Sequence, residues 1–512
     1  MMSREGRAMH NWFMLLTLGA VMAVVAAPAT AGLSAKALAA EEAAPSARYG
    51  GSSTAPAAEP LRLHPENPHY FLWRGQPTVL VTSGEHYGAV LNLDFDGPRY
   101  LEAIQAAGLN LTRTFSGVYR EIPSSFKIKN NPLAPAPNRY ISPWARSTEP
   151  GYFDGGAKFD LSKWDPAYFA RLKGFLAEAS RRGIVVELVL FCPMYKDELW
   201  KACPMYAGNN VNGIGDLAKD DVHTLKNGGL LEYQLAVTRK IVTEVNEFDN
   251  LYFEIANEPY FGGITLEWQQ RIGEAIVETE KGLPRRHLIA QNIANGSKKI
   301  GEPPAGRSPA AGEGPFPLVS IFNFHYCSPP NAVAMNRDLN RVIADDETGF
   351  KGSADQPYAA DGWDFLLAGG AAYSNLDYSF YPGHEDGSGT PDAPGGGSPA
   401  LRKSLAAAKA FIEHLDFIRM APDAAAITTA APKVTVRTLA EKGKQYAAFI
   451  RAAAGPVTVT ADLPAGKWAA EWVDIHTGAS AKAEPFDHAG GARSLVSPDF
   501  KDGIALRIVP KI

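Results

Sequence analysis

Residues 251–260 read LYFEIANEPY: an aromatic and β-branched run, as expected of a buried strand, that breaks off at Asn257-Glu258-Pro259. A carboxylate held at a strand end by a proline suits a functional loop better than a core, so the neighbouring runs decide what kind of sheet this strand belongs to. They are PTVLVTSGEHY (77–87), LNLTRTF (109–115), GIVVELVLF (183–191), HLIAQN (287–292), LVSIFNFHY (318–326) and RVIADDETG (341–349). Each is almost continuously apolar, the pattern of strands covered on both faces. Between them lie helix-like stretches such as YFARLKGFLAEASRRG (168–183) and YQLAVTRKIVTEVNEF (233–248). Strand and helix in repeated alternation imply a parallel sheet.

With an eighth strand expected around FLLAGGAAYSNLDYSF (365–380) and a helix across 401–420, the count is that of an α/β fold of the (β/α)8 TIM barrel type. Its surplus length falls in the loops 116–160 and 193–230. A doubly wound open sheet calls for a Gly-rich phosphate loop after an early strand, and none is present. After Pro422 the texture changes to the short alternating runs KVTVRTL, QYAAFIR, VTVTADL, WAAEWVDI and GIALRIV, separated by Gly and Pro, which predict a small C-terminal antiparallel β-sandwich. We expect it to be a packing module shielding the barrel rather than a carbohydrate-binding one.

The N-terminus has another character. Arg4 and Arg7 precede an apolar run from Phe13 to Ala27 and then Ala29-Thr30-Ala31, the layout of a secretory signal peptide; the run is shorter than the roughly 20 residues that span a bilayer. The expected organisation is a signal peptide over 1–31, an Ala/Pro/Ser/Gly-rich linker over 32–60, a barrel over 61–421 and the sandwich over 422–512. The mature chain is expected to be secreted or periplasmic, with no membrane attachment after cleavage. A net charge of −5 over 512 residues without a basic stripe excludes nucleic acid as an expected partner. The three cysteines, Cys192, Cys203 and Cys327, match no zinc spacing, and a Cys192–Cys203 disulfide stays open as a pairing.

Barrel active sites are built at the C-terminal ends of the strands. Here those ends are polar: Glu85, His86 and Tyr87 close the first run, Arg113 lies on the second, Asn257-Glu258 end the fourth, His325-Tyr326 the sixth and Asp345-Asp346-Glu347 the seventh. Glu258 and Glu347 are 89 residues apart (347 − 258), three βα units of roughly 30 residues, which places them on facing strands. Two facing carboxylates suit glycoside hydrolysis, in which one group protonates the departing oxygen while the other attacks the anomeric carbon or activates water. Glu254, deeper on the fourth strand, reads as a paired core acid. Asp345 and Asp346 are alternatives to Glu347 as nucleophile, but Glu347 stands nearest the strand end. The single His86 falls short of the His-x-His pair of a barrel metal centre, so no metal or other cofactor is expected.

Asn257-Glu258-Pro259, Arg113 in LTRTF, His325-Tyr326 and Glu347 together resemble the clan of (β/α)8-barrel retaining glycosidases that includes the family-five cellulases and mannanases. The resemblance spans residues 61–420. It implies a glycoside hydrolase acting on β-linked poly- or oligosaccharides, with Glu258 as acid/base and Glu347 as nucleophile. Asn257 would hydrogen-bond the sugar hydroxyl beside the reacting carbon, Arg113 and Tyr326 would hold Glu347 ionised, and His325 would line the floor. Glu85, His86 and Tyr87 are read as substrate contacts, and two or three of Tyr119, Trp144, Tyr195, Trp200, Tyr260 and Trp363 as sugar-stacking rings. Many clan members end the eighth strand in a tryptophan; this chain has AAYSNLDYSF there, so Tyr378 or Trp363 is expected to take its place. The alternatives to hydrolysis of this kind are a non-catalytic carbohydrate-binding protein on the same barrel and, third, a metal-dependent barrel hydrolase.

Overall fold

The computed structural model describes residues 59–85, 87–301 and 317–511. The expected signal peptide lies outside them, as does the expected linker except for its last two residues. Among the described residues, no helix is long and apolar enough to cross a membrane.

Eight parallel strands make the central sheet: β1 (Leu80–Gly84), β2 (Leu111–Phe115), β3 (Val185–Phe191), β4 (Leu251–Ala256), β5 (Ile289–Asn295), β6 (Ile321–His325), β7 (Val342–Thr348) and β8 (Ala372–Leu376). Each is hydrogen-bonded to its neighbour in chain order from β2 to β8, and β8 pairs with β1. Between β1 and β2 the seam is stitched by the Asn110 amide donating to the Val81 carbonyl at 3.2 Å and the Val81 amide donating to Asn110 Oδ1 at 2.9 Å. The sheet is therefore closed, and its side chains alternate between the barrel interior and the helix layer. On β4, Tyr252 and Glu254 face inward, while Phe253 packs on His287 and Ile255 lies beside Gly273 of the helix layer.

The outer layer is α1 (Gly97–Ala106), α2 (Pro166–Arg181), α3 (Leu230–Val245), α4 (Leu266–Glu280), the short α5 (Asn331–Met335), α6 (Gln356–Leu367) and α7 (Pro399–Glu413). Helix α2 shows why these segments form where they do. Asp165 accepts from the Ala167 amide at the N-cap, Pro166 takes the first helical position, and Tyr168, Phe169, Leu172, Phe175, Leu176 and Ala179 supply one buried apolar face. Among the described residues no helix connects β5 to β6.

Two expectations need correction. The run 77–87 is not one strand, since Gln76–Thr78 pairs antiparallel with Phe71–Trp73 in a three-stranded sheet that also holds Arg62–Leu63. That sheet lies against the N-terminal end of the barrel, where the Trp73 indole and the Leu61 amide donate to the Asp249 carbonyl. The eighth strand is shorter than the stretch expected for it, because Phe365, Leu366 and Leu367 finish α6 and Gly369 (φ +91°) turns the chain back toward Ala372.

The C-terminal strands form two antiparallel sheets, one of six strands that opens at Ala421–Pro422 and one of three. Ser480–His488 and Gly491–Val496 are strands as well. They escaped the sequence reading because their alternation is polar and largely exposed. Leu439, Phe449, Val473 and Ile475 of these sheets share one apolar core with the barrel helices.

Candidate active site

Strand β4 ends as its sequence suggests. The Asn257 amide still donates to the Phe191 carbonyl of β3, and Glu258 then turns the chain at φ +35°, unusual for a residue with a side chain and before a proline. Its carboxylate, on a side chain 10% exposed, accepts from Tyr195 Oη at 2.5 Å and lies 3.3 Å from His325 Nδ1. Tyr326, next after β6, also has positive φ, +54°. Backbone held in such conformations gathers at functional sites, where the surrounding packing over-determines it.

On β7 the ladder to β6 slips: Phe324 pairs with Asp345, but His325 pairs with Glu347, leaving Asp346 as an extra residue. Consecutive residues of a regular strand point to opposite faces. The bulge lets Asp346 and Glu347 both reach Arg113 in the barrel interior, at 3.4 and 3.0 Å. Glu347 accepts from Arg113 Nη1 and, at 2.6 Å, from Tyr326 Oη. Two donors of this kind complement a carboxylate charge. A carboxylate oxygen of Glu258, one of Glu347 and a ring nitrogen of His325 all lie within 4.8 Å of one another.

Beneath this pair is a polar core that was only partly foreseen. Arg113, fully buried, donates to Glu254 Oε2 at 2.7 Å and to Asn257 Oδ1 at 2.6 Å. Glu254 is thus the paired core acid that its deeper position on the strand suggested. Glu187 of β3 and Asn323 of β6 were missed, although each interrupts an apolar run at an inward position; Asn323 Nδ2 donates to Glu187 at 2.7 Å and to Asp346 at 2.8 Å. Burial lowers the basicity of His325, but the carboxylates of Glu347, Asp346 and Glu258 outweigh it and lift the imidazole to about 9. With its proton in place the ring donates toward the Glu258 carboxylate at 3.3 Å. Burial also raises Glu187, helped by Asp346 and Glu254, and takes Glu254 up to about 7 against the pull of Arg113.

The two carboxylates open into a cleft with about 500 Å³ of empty space. Asn257, Tyr326 and Tyr378 line it as expected, together with Tyr119 and Tyr195. Glu121, Phe126 and Phe350 line it too, and no motif marked them, since their place depends on loop packing. Tyr378, two residues past β8, stands where the clan's tryptophan was sought. Other expected contacts are corrected. Glu85 is buried, and its carboxylate accepts from the amides of Tyr87, Gly88 and Ala89, so it pins its own loop instead of facing the cleft. Trp363 is fully buried in α6, where its indole donates to the Ile475 carbonyl and its ring packs on Phe411 and Phe449. Trp144 and Trp200 are buried as well, and the Trp200 indole donates to the Leu217 carbonyl. His86 lies outside the described residues. Cys192, Cys203 and Cys327 are free and buried, so no 192–203 disulfide forms; Cys192 sits 3.6 Å from the Asn257 amide nitrogen.

No family model matches the sequence, and no curated protein matches it. Solved structures do. A candidate glycoside hydrolase of Bacteroides vulgatus ATCC 8482 aligns over 90% of this chain and 83% of its own with 15% identity and a TM-score of 0.60. A glycoside hydrolase family 5 protein of the same organism aligns over 88% and 93% with 11% identity and a TM-score of 0.57. A further glycoside hydrolase aligns over 88% and 97% with 12% identity and a TM-score of 0.54. At such identities the likeness is one of fold: the chain is a TIM barrel with C-terminal antiparallel sheets.

Proposed function

We propose that the protein is an exported glycoside hydrolase that cleaves β-linked sugars with retention, Glu347 attacking and Glu258 serving as acid and then base. The observation that carries this reading is the approach of the two carboxylates to within 4.8 Å at the mouth of the barrel. Retaining enzymes hold their carboxyl groups roughly 5–5.5 Å apart, whereas inverting ones leave about 6.5–9.5 Å for a water. In the first step Glu258 gives its proton to the glycosidic oxygen, the bond from that oxygen to the anomeric carbon breaks, and Glu347 forms an ester with the carbon. In the second, Glu258 takes a proton from water, whose oxygen displaces Glu347 and restores the β-configuration. Arg113 and Tyr326 support Glu347 in its charged form. Asn257 lines the cleft with its Oδ1 accepting from Arg113 and its amide donating to Tyr195 Oη, and a sugar hydroxyl beside the reacting carbon would accept from that amide in place of Tyr195. Export is supported by the apolar run 13–27 and the small residues after it.

Proton NMR of the product within the first minutes of hydrolysis tests the mechanism. The β-anomer is expected first from a β-linked substrate, and an α-anomer appearing first sinks it. A non-catalytic sugar binder on this barrel has no use for a proton-transfer pair so close together.

A further inference from the structure

Among the described residues that line the cleft, Glu121 is the one carboxyl group to which the double displacement gives no task. It is buried and fixed at both ends. Its Oε2 accepts from Asn131 Nδ2 at 2.6 Å, and its backbone amide donates to Tyr87 Oη. The Asn131 amide closes the intervening segment by donating to the Pro123 carbonyl at 3.1 Å, and within that segment Phe126, Lys127 and Asn130 all have positive φ, at +54°, +60° and +52°. Backbone so costly persists where packing over-determines it, above all at functional sites. The ring of Tyr87 packs edge-on against Phe115 at 5.6 Å, and Phe115 lies 5.4 Å from the Arg113 guanidinium that holds Glu347. Glu121 thus tops the column of side chains that rises from Arg113.

The other oxygen of this carboxyl, Oε1, has no hydrogen-bond partner among the described residues. Two buried hydroxyls of the same lining share that condition, Tyr119 Oη and Tyr378 Oη. Buried polar atoms left unpaired are costly, so a cleft that gathers three of them is completed by a ligand able to pair with them. A sugar hydroxyl both donates and accepts, and it therefore suits the carboxyl whether or not that group carries its proton. We propose, resting on the glycosidase reading above, that Glu121 selects the sugar: its free oxygen pairs with one hydroxyl of the ring transferred to Glu347, so that a ring lacking that hydroxyl is rejected.

The 2,4-dinitrophenyl β-glycosides of glucose, mannose, galactose and xylose, and of their β-linked disaccharides, first identify the sugar that the parent protein cleaves. Analogues in which the reacting ring lacks one hydroxyl at a time then test Glu121. The intrinsic reactivity of each glycoside cancels when parent and variant are compared on it. The expected result is that loss of one particular hydroxyl lowers kcat/KM of the parent protein roughly 100-fold more than it lowers that of Glu121→Ala. Glu121→Gln keeps the Asn131 hydrogen bond, and with it the loop, and is expected to show a smaller shift at the same hydroxyl. A purely structural role lowers kcat/KM equally on every substrate, so parent-to-variant ratios that are the same for all the analogues overturn the assignment while leaving the glycosidase intact. Hydrolysis of none of the aryl glycosides by the parent protein overturns both.

Discussion

Arg113 divides its donors among Glu254, Asn257 and Glu347 and has Glu187 and Asp346 close by, so one buried cation organises the floor of the site. Replacing it with alanine leaves these carboxylates without their counter-charge inside the barrel. Breaking a buried ion pair by removing one partner costs about 3–5 kcal/mol. Arg113→Ala is therefore expected to lower the midpoint of denaturant unfolding sharply as well as to abolish activity, and an unchanged midpoint contradicts the pairing described. Glu347→Ala behaves differently. Its side chain stands at a strand end facing a cleft, so the fold survives while turnover drops on the order of 10⁴-fold or more, as for the loss of a nucleophile. Near-normal turnover by a folded Glu347→Ala protein ends its assignment.

At the scale of elements, α6 joins the barrel to the sandwich. Trp363 packs on Phe411 of α7 and Phe449 of the sandwich, Ser404 donates to the same Ile475 carbonyl as the Trp363 indole, and Arg437 forms a forked pair with Asp364 at 2.8 and 3.2 Å. Trp363→Ala opens a cavity at that seam and is expected to cost about 3–5 kcal/mol, while kcat of the folded protein stays within a fewfold of the parent, since the ring touches no part of the cleft. A selective loss of substrate affinity with unchanged stability would return Trp363 to the substrate contacts. This residue also shows where sequence reading stops. The barrel strands were legible because strands covered on both faces read as unbroken apolar runs, and Glu258 and Glu347 because they stand at the C-terminal ends of such runs. The polar floor was half legible: Glu187 and Asn323 sit in plain view at inward positions, but a lone polar residue within an apolar run says nothing of its partners. Trp363 and Glu85 were misplaced for another reason. Their directions depend on which helix and which loop pack against them, and neither leaves a local signal.

For the whole molecule, most of the buried titratable groups of the barrel act in one direction with pH, opposed by His223, which burial lowers from 6.5 to about 3 and which therefore loses stability as pH falls below 6.5. The carboxylates of Glu347, Asp346 and Glu258 overcome burial to lift His325 from 6.5 to about 9. The stability gained from its proton is full below about 6.5 and is lost as pH rises through 9. Burial lifts Glu121 from 4.5 to about 8 and Glu254 from 4.5 to about 7. A raised carboxyl means that the folded chain binds its proton more tightly than the unfolded one, so this contribution too is full below pH 4.5 and is lost as pH rises through the folded values. Surface carboxylates held low by lysines, such as Asp423 beside Lys442, titrate below this window and do not offset it. The melting temperature is therefore expected to be highest in mild acid, near pH 5, and to fall by several degrees on the way to pH 9. Glu121→Gln removes one of the titrating groups, so its melting temperature is expected to decline less steeply between pH 5 and 8. Thermal unfolding followed by circular dichroism across that range decides it: a melting temperature that climbs from pH 5 to pH 9 would show that these groups ionise freely in the folded barrel.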